Sequence, residues 1–184
     1  MFHYVDLDKD PPIYSKDYTH MPITNYELAN RAKFFSKALF GVEFKGSICF
    51  ENNEYLNGAS GKFYPGIDSW DDRFDQEEYE DYKEASILLY ESLAESTYIN
   101  LNNVLIHELL HFYLWYIGYN YGDGSSEFIN KARQLGVCRN YDHKWNDEEK
   151  KWEQSDISEE KLQSYEDAYQ EYVKTNKINH IDWE

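Results

Sequence analysis

Residues 102–111 read NNVLIHELLH, and the HExxH spacing within them specifies where three polar side chains would lie on a helix. His107 and His111 are four residues apart, so on a helix both imidazoles project from one face and can hold one zinc ion. Glu108 follows directly, and its carboxylate can reach a water on the open position of that metal. The pattern therefore predicts a helix of the zinc-hydrolase type.

The residues around this motif favour a metal over a plain pair of core histidines. HExxH is a short pattern that also arises in helices without any metal. Here, however, residues 104–106 and 109–117 are almost all apolar or aromatic, which is typical of a helix inside a domain. Two histidines and a glutamate in such a helix carry a desolvation cost, and a bound metal offsets that cost directly.

Composition limits the classes of function that the chain can have. Its 184 residues are enough for one domain with a real core, and its 18% of aromatic residues argues against a disordered acidic polymer. The 18 basic residues stand against 35 acidic ones, a formal net charge of -17. That charge opposes attraction to phosphate backbones and anionic lipid, so we expect no direct nucleic-acid binding and no membrane partner. An acidic surface does suit a basic partner protein.

Cysteine usage and the N-terminus indicate the compartment. Cys49 and Cys138 form neither a CxxC pair nor a disulfide framework, which fits a reducing environment. The first residues lack a basic start followed by an apolar run, and no stretch approaches the length of a membrane span. We expect a cytoplasmic protein.

The remainder of the chain predicts further elements in order. Residues 1–23, which hold three of the four prolines, are expected to form an extended arm. Thr24 or Asn25 can cap a helix that Gly41 would end after Phe40. Strands are expected at residues 44–50, 59–64 and 85–90, with a turn at Asn52-Asn53 between the first two, and the motif helix should run from near Ile99 to Gly118. Gly58, Gly61 and Gly66 indicate turns or close backbone approach.

Two charged stretches and one further helix complete the chain. Residues 68–84 are dense in acid, which usually marks solvated surface, although interleaved aromatic residues leave a partner-binding role open. Residues 140–156 are charged and contain tryptophan. Ser158 can cap a helix over residues 158–175 that packs on the domain. Its apolar face would comprise Leu162, Tyr165, Tyr169, Tyr172 and Val173.

A catalytic zinc site usually has three protein ligands, so a third must be found beyond the motif. His3 and His20 lie in the arm and His180 near the C-terminus, so each would need the chain to fold back. His143 is nearer in sequence. Asp123 lies between two glycines in a turn, where a short side chain can point back at the helix, although simple turn-making is the alternative.

Taken together, these residues resemble the SprT-like (Spartan-related) metallopeptidases. The similarity covers roughly residues 25–137: a helix at 28–40, the segment GASGKF at 58–63, a strand near Ile87, and the motif at 103–111. It implies an α+β fold with a zincin-like core, namely an N-terminal helix, a small three-stranded sheet, the HExxH helix and a following helix. The implied organisation is an arm at 1–23, the metallopeptidase-like domain at 24–137, and a charged segment with a C-terminal helix at 138–184.

The resemblance also suggests the third ligand. SprT-like proteins typically carry a third zinc-binding histidine shortly before a phenylalanine that opens the next helix. Phe128 corresponds to that phenylalanine, but no histidine lies between His111 and Phe128. Asp123 stands in the expected place, and carboxylates serve as third ligands in other zinc hydrolases. Glu127, His143 and a degenerate site that binds metal weakly remain alternatives.

The resemblance implies a zinc-dependent hydrolase of protein or peptide substrates in which Glu108 activates a zinc-bound water. Family members with known roles act on DNA-linked proteins, but the net charge of this chain does not support a DNA-binding surface. The alternative is a non-enzymatic acidic binding protein, of viral origin, that uses a degenerate metallopeptidase scaffold to block a basic or nucleic-acid-binding partner.

Overall fold

The computed structural model describes residues 14–66, 84–139 and 157–183, together with the backbone of two short strands at 143–146 and 151–154. The described chain is a mixed α+β protein with five α-helices, a three-stranded sheet and a separate two-stranded sheet. None of the described helices is both long and apolar enough to cross a membrane.

Helix α1 spans Asn25–Phe40 and confirms the predicted bounds. The Thr24 hydroxyl accepts a hydrogen bond from the backbone N–H of Glu27, and Gly41 ends the helix with a left-handed φ of 70°. One face of α1 is almost entirely buried, because its apolar residues recur at helical spacing.

The three predicted strands are present, although the first is shorter than expected. Strands β1 (Ser47–Glu51), β2 (Gly61–Tyr64) and β3 (Ser86–Tyr90) form a sheet of order β1-β3-β2. Strand β3 is central, parallel to β1 and antiparallel to β2. Its alternate residues Ile87 and Leu89 are fully buried, as the period of two requires.

The segment between β1 and β2 differs from the prediction. Instead of a turn at Asn52-Asn53, the chain forms a one-turn helix, α2, over Asn53–Leu56. The side-chain oxygen of Asn52 accepts from the backbone N–H of Glu54 at 2.9 Å, so the asparagine acts as a helix cap rather than as a turn residue. The predicted strand at 44–50 also begins late, because Phe44 is buried in the core ahead of β1.

The motif helix, α3, spans Tyr98–Tyr116, close to the predicted range. Thr97 caps it by accepting from the backbone N–H of Asn100, and Gly118 just beyond its end has a φ of 79°. A short 3₁₀ helix at Glu91–Glu95, which the sequence did not predict, joins β3 to α3. Nearly every α3 residue from Leu101 to Leu114 is buried, in agreement with its apolar surroundings in the sequence.

Helices α4 (Ser126–Leu135) and α5 (Glu159–Thr175) follow, each capped at its N-terminus by a serine hydroxyl. The predicted face of α5 is buried at Leu162, Tyr165 and Tyr169, but the inclusion of Val173 was wrong. Tyr172, which was also predicted on this face, is partly buried, and its ring stacks 5.0 Å from that of Phe34. This leaves Val173 on the solvent side, with 60% of its surface exposed.

A buried ion pair joins α1, α3 and α5. Arg31 is fully buried and donates to both carboxylate oxygens of Glu166, at 2.6 and 3.1 Å. The Asn102 amide, at the start of the HExxH stretch, donates to the same carboxylate at 2.8 Å. The rings of Tyr98 and Tyr169 lie 4.6 and 4.3 Å from the guanidinium carbon. These contacts fix the motif helix relative to two other helices.

Some of the predicted segments lie wholly or partly outside the described residues. They are residues 1–13 of the arm and the acidic segment apart from Glu84. The described part of the arm, residues 14–23, has no helix or strand and hydrogen-bonds to the 3₁₀ helix through Asp17 and Ile23. Within the charged segment 140–156, strands β4 (His143–Asn146) and β5 (Lys151–Gln154) form an antiparallel pair that was not predicted.

Candidate metal site

The two histidines of the motif face one another on α3. His107 and His111 are 3% and 8% exposed, and their Nε2 atoms lie 3.1 Å apart. This follows from the four-residue spacing, which brings both side chains to one face of the helix. The two imidazoles therefore converge, as the spacing in the sequence predicts.

Backbone carbonyls determine which nitrogen of each ring is available. The Nδ1 atom of His107 lies 2.7 Å from the carbonyl oxygen of Cys138, and that of His111 lies 2.5 Å from the carbonyl oxygen of Tyr121. A carbonyl only accepts, so each Nδ1 carries the proton and donates it. In the neutral rings both Nε2 lone pairs consequently face the same point, which is the arrangement that metal-binding histidines adopt.

Asp123 completes a triangle with these two nitrogens. Its Oδ1 atom lies 3.1 Å from Nε2 of His107 and 3.1 Å from Nε2 of His111. The turn that carries Asp123 is closed by Ser125, whose backbone N–H donates to Gly122 and whose hydroxyl donates to the carbonyl of Asn120. The structure thus brings the sequence-predicted third ligand to the two motif histidines.

The dimensions of the triangle suit a small divalent cation. All three distances between the two Nε2 atoms and Oδ1 are 3.1 Å. Zinc binds nitrogen and oxygen at about 2.0 to 2.1 Å, so tetrahedral ligands of one zinc ion lie roughly 3.3 Å apart. Three lone-pair atoms this close repel one another unless a positive charge lies between them. These three atoms could therefore hold a divalent ion of this size.

The charges of the metal-free site agree with a requirement for a cation. Burial disfavours the imidazolium of His107, but Cys138 and Asp123 outweigh it and raise the pKa of His107 well above its ordinary value. Burial likewise disfavours the Asp123 carboxylate, but hydrogen bonds to His107 and His111 hold its pKa well below the usual range. The charged forms of His107 and Asp123 thus stabilise one another.

Glu108 lies beside the triangle rather than in it. A carboxylate oxygen of Glu108 and one nitrogen from each of His107 and His111 lie within 4.8 Å of one another. Glu108 is 4% exposed, and burial raises the pKa of its carboxyl above the ordinary value. A carboxylate this close to the two imidazoles can serve as a general base for a water held there.

Aromatic side chains hold the two imidazoles in place. The ring of Phe128, fully buried at the start of α4, stacks 4.3 Å from that of His111 and meets the His107 ring edge-on at 4.9 Å. Phe63 in β2 lies parallel to the His111 ring at 6.3 Å. Rings packed on both sides restrict rotation of the imidazoles, which preorganises the ligand atoms.

The other candidate ligands are elsewhere or undescribed. The Glu127 carboxylate accepts from the hydroxyl of Ser126, in an exposed position. Both ring nitrogens of His20 face backbone carbonyls 2.8 Å away, so neither is available to a metal. His180 lines a surface cavity with Leu39 of α1 and with Asp182 and Trp183 of the C-terminal tail. His3 and the side chain of His143 lie outside the described residues.

Sequence reasoning missed the groups that support the ligands. Asn103, buried and four residues before His107, accepts through its Oδ1 from the backbone N–H of Cys138 at 2.8 Å. Because the carbonyl of Cys138 receives the Nδ1 proton of His107, Asn103 fixes that carbonyl indirectly. The signal that the sequence offered was an asparagine one helical turn before a predicted ligand. Backbone carbonyls that accept from a histidine leave no signal in a sequence.

Comparison with known proteins adds no relative to this description. No model of a protein family matches the chain, and neither a curated protein nor a solved structure matches it.

Proposed function

We propose that the chain is a zinc-dependent peptidase similar to the SprT-like type. The observation that carries this proposal is the equal-sided cluster of His107 Nε2, His111 Nε2 and Asp123 Oδ1 with the Glu108 carboxylate beside it. The order of helix α1, the small sheet, motif helix α3 and α4 is the one expected from the resemblance to SprT-like proteins, and it supports the same proposal.

Each residue has a distinct role in the proposed reaction. His107, His111 and Asp123 would hold the ion, which would supply Lewis acidity to a water molecule and to the scissile carbonyl. Glu108 takes the proton of that water and later delivers it to the leaving amine, so it returns to its starting state after each turnover. The apolar surroundings of Glu108 keep its carboxylate poorly solvated and therefore basic.

The surroundings of the cluster favour an extended peptide as substrate. Strand β2 lies at the edge of the three-stranded sheet and touches the site through Gly61 and Phe63. Edge strands bind extended peptides through main-chain hydrogen bonds. Tyr64, Tyr116 and Tyr119 are 41%, 61% and 56% exposed, and such rings can contact apolar side chains of a substrate.

The direct test compares Glu108→Gln with the parent chain on an unfolded protein substrate, with zinc present. We expect both chains to bind one zinc with the same affinity and only the parent to cleave, because an amide cannot accept the proton of water. A matched control is Glu171→Gln, which removes an exposed acid on α5, outside the cluster, and should leave cleavage unchanged.

Two results would contradict the proposal. Unchanged cleavage by Glu108→Gln would exclude Glu108 as the base. A zinc-loaded parent chain that cleaves no peptide in a diverse library would leave the acidic binding protein on a metallopeptidase scaffold as the better interpretation.

A further inference from the structure

Gly61, the first residue of β2, lies directly against the side chain of Glu108. A Cβ atom at Gly61 would be 2.6 Å from Oε1 of Glu108, 2.9 Å from its Cγ and 3.0 Å from its Cδ. Carbon atoms in van der Waals contact normally lie about 3.5 to 4.0 Å apart. The φ of Gly61 is not positive, so the lack of space, rather than the backbone conformation, restricts this position to glycine.

The backbone at Gly61 is fixed and cannot easily move away from Glu108. Gly61 pairs with Leu89 in the centre of the sheet, and the carbonyl of Ser60 accepts from the backbone N–H of Tyr90 at 2.9 Å. The hydroxyl of Ser60 also bonds at 3.0 Å to the hydroxyl of Tyr14, which belongs to the N-terminal arm. The sheet and the arm therefore hold this part of β2 from two directions.

The carboxylate of Glu108 also lies close to the ligand atoms of the two motif histidines. One of its oxygens lies within 4.8 Å of both a His107 and a His111 nitrogen. We propose that Gly61 is a positioning residue, whose bare backbone holds the Glu108 carboxylate against the metal-ligand cluster. The consequence for catalysis rests on the proposed function, whereas the packing between Gly61 and Glu108 does not.

Thermal unfolding in the presence of a chelator tests the contact without reference to metal or turnover. The chains compared are the parent, Gly61→Ala, Glu108→Ala and the double variant. We expect Gly61→Ala to lower Tm by about 5 °C in the parent, because the added methyl overpacks a buried site. In the Glu108→Ala background the same change should cost less than a third as much, since the opposing carboxylate is gone.

Gly41→Ala is the matched control for this cycle. Gly41 has a φ of 70° and nothing within 4 Å of a Cβ, so its substitution strains the backbone without touching Glu108. Its loss of Tm should be the same in both backgrounds. If Gly61→Ala folds only together with Glu108→Ala, the proposal is supported. An equal loss in both backgrounds, failure to fold in both, or no loss in either would overturn it.

A second measurement follows the catalytic consequence. With zinc bound, Gly61→Ala should keep its full metal content, because the three atoms nearest to the added Cβ all belong to Glu108 and not to a ligand, and should lower kcat at least tenfold. Added to Glu108→Gln, it should cause no further loss, since the base that it positions is already inactive. A further loss in that background would show a general structural defect and overturn the positioning role. If the parent chain does not hydrolyse peptides, the proposed function fails, while the thermal cycle still decides the packing.

Discussion

Substituting Glu166 by glutamine should destabilise the fold strongly, although the change removes only one charge. Glu166 is 4% exposed and accepts from Arg31 at 2.6 and 3.1 Å, from Asn102 at 2.8 Å and from Gln170 at 2.7 Å. In the variant, the fully buried guanidinium of Arg31 would keep only Glu27, 3.2 Å away at the partly exposed edge, as a carboxylate partner. The buried charge of Arg31 would then be only partly compensated.

The size of the expected loss in unfolding free energy follows from the partners that Arg31 keeps in the variant. Loss of one partner of a buried pair costs about 3 to 5 kcal/mol, and the remaining Glu27 places Glu166→Gln near the lower end, at about 3 kcal/mol. For a chain of this size that corresponds to a fall in Tm of roughly 6 to 12 °C. Glu171→Gln, an exposed change on the same helix, should stay within about 0.5 kcal/mol of the parent.

The loss should depend on pH in a defined direction. Burial opposes the charged form of Glu166, but its bonds to Arg31, Gln170 and Asn102 outweigh burial and lower the pKa of its carboxyl. A group with a lowered folded-state pKa stabilises the fold above its unfolded pKa, and that stability disappears as pH falls through the folded value. The difference in unfolding free energy between the parent and Glu166→Gln should therefore shrink below about pH 4.5. Urea unfolding of both chains at pH 7 and pH 4 measures this difference. A difference under 1 kcal/mol at pH 7, or a difference that grows in acid, would contradict the prediction.

Three further expectations concern the site and the surface charge. His107→Ala and His111→Ala should each lower zinc affinity by at least about a hundredfold in a competitive chelator titration, because each removes a ligand atom; full retention of zinc by either would contradict this. In the parent chain, zinc affinity should fall as pH drops below the raised pKa of His107, because proton and metal compete for Nε2. The fall should be about tenfold per pH unit for each proton that the metal displaces. A zinc affinity that does not change between pH 8 and pH 6 would contradict this. Binding to duplex or single-stranded DNA should be weak in fluorescence anisotropy at near-physiological salt, because the net charge is -17. Tight binding at that salt concentration would contradict the expectation that the chain does not bind nucleic acid directly.

Local sequence signals predicted most of the helices in this fold. Thr24, Thr97 and Ser158 cap their helices through side-chain hydrogen bonds, and Gly41 and Gly118 adopt positive φ where helices were expected to end. These features depend on residues close together in sequence, so a single chain suffices to recognise them. The order of the strands in the sheet cannot be recognised in this way, because β3 pairs with both β1 and β2 across long intervening segments.

The candidate site was predictable only in part. Spacing placed His107 and His111 on one face, and a turn between two glycines suggested Asp123. The contact of Gly61 with Glu108 and the hydrogen bond from the backbone N–H of Cys138 to Asn103 bring together residues from different elements, which spacing along the chain does not reveal. Arg31 and Glu166 were missed for the same reason, since a buried ion pair looks like two surface charges in a sequence.

The central claim is that His107, His111 and Asp123 together hold one zinc ion. Elemental analysis of the chain, purified without added metal, measures this most directly when Asp123→Ala and Asp123→His are analysed beside the parent. We expect about one zinc per parent chain, a strongly reduced content in Asp123→Ala and recovery in Asp123→His, because histidine restores a third ligand. Full zinc content in Asp123→Ala would contradict this proposal. Loss of zinc in Glu127→Ala or His143→Ala would then identify the substituted residue as the third ligand.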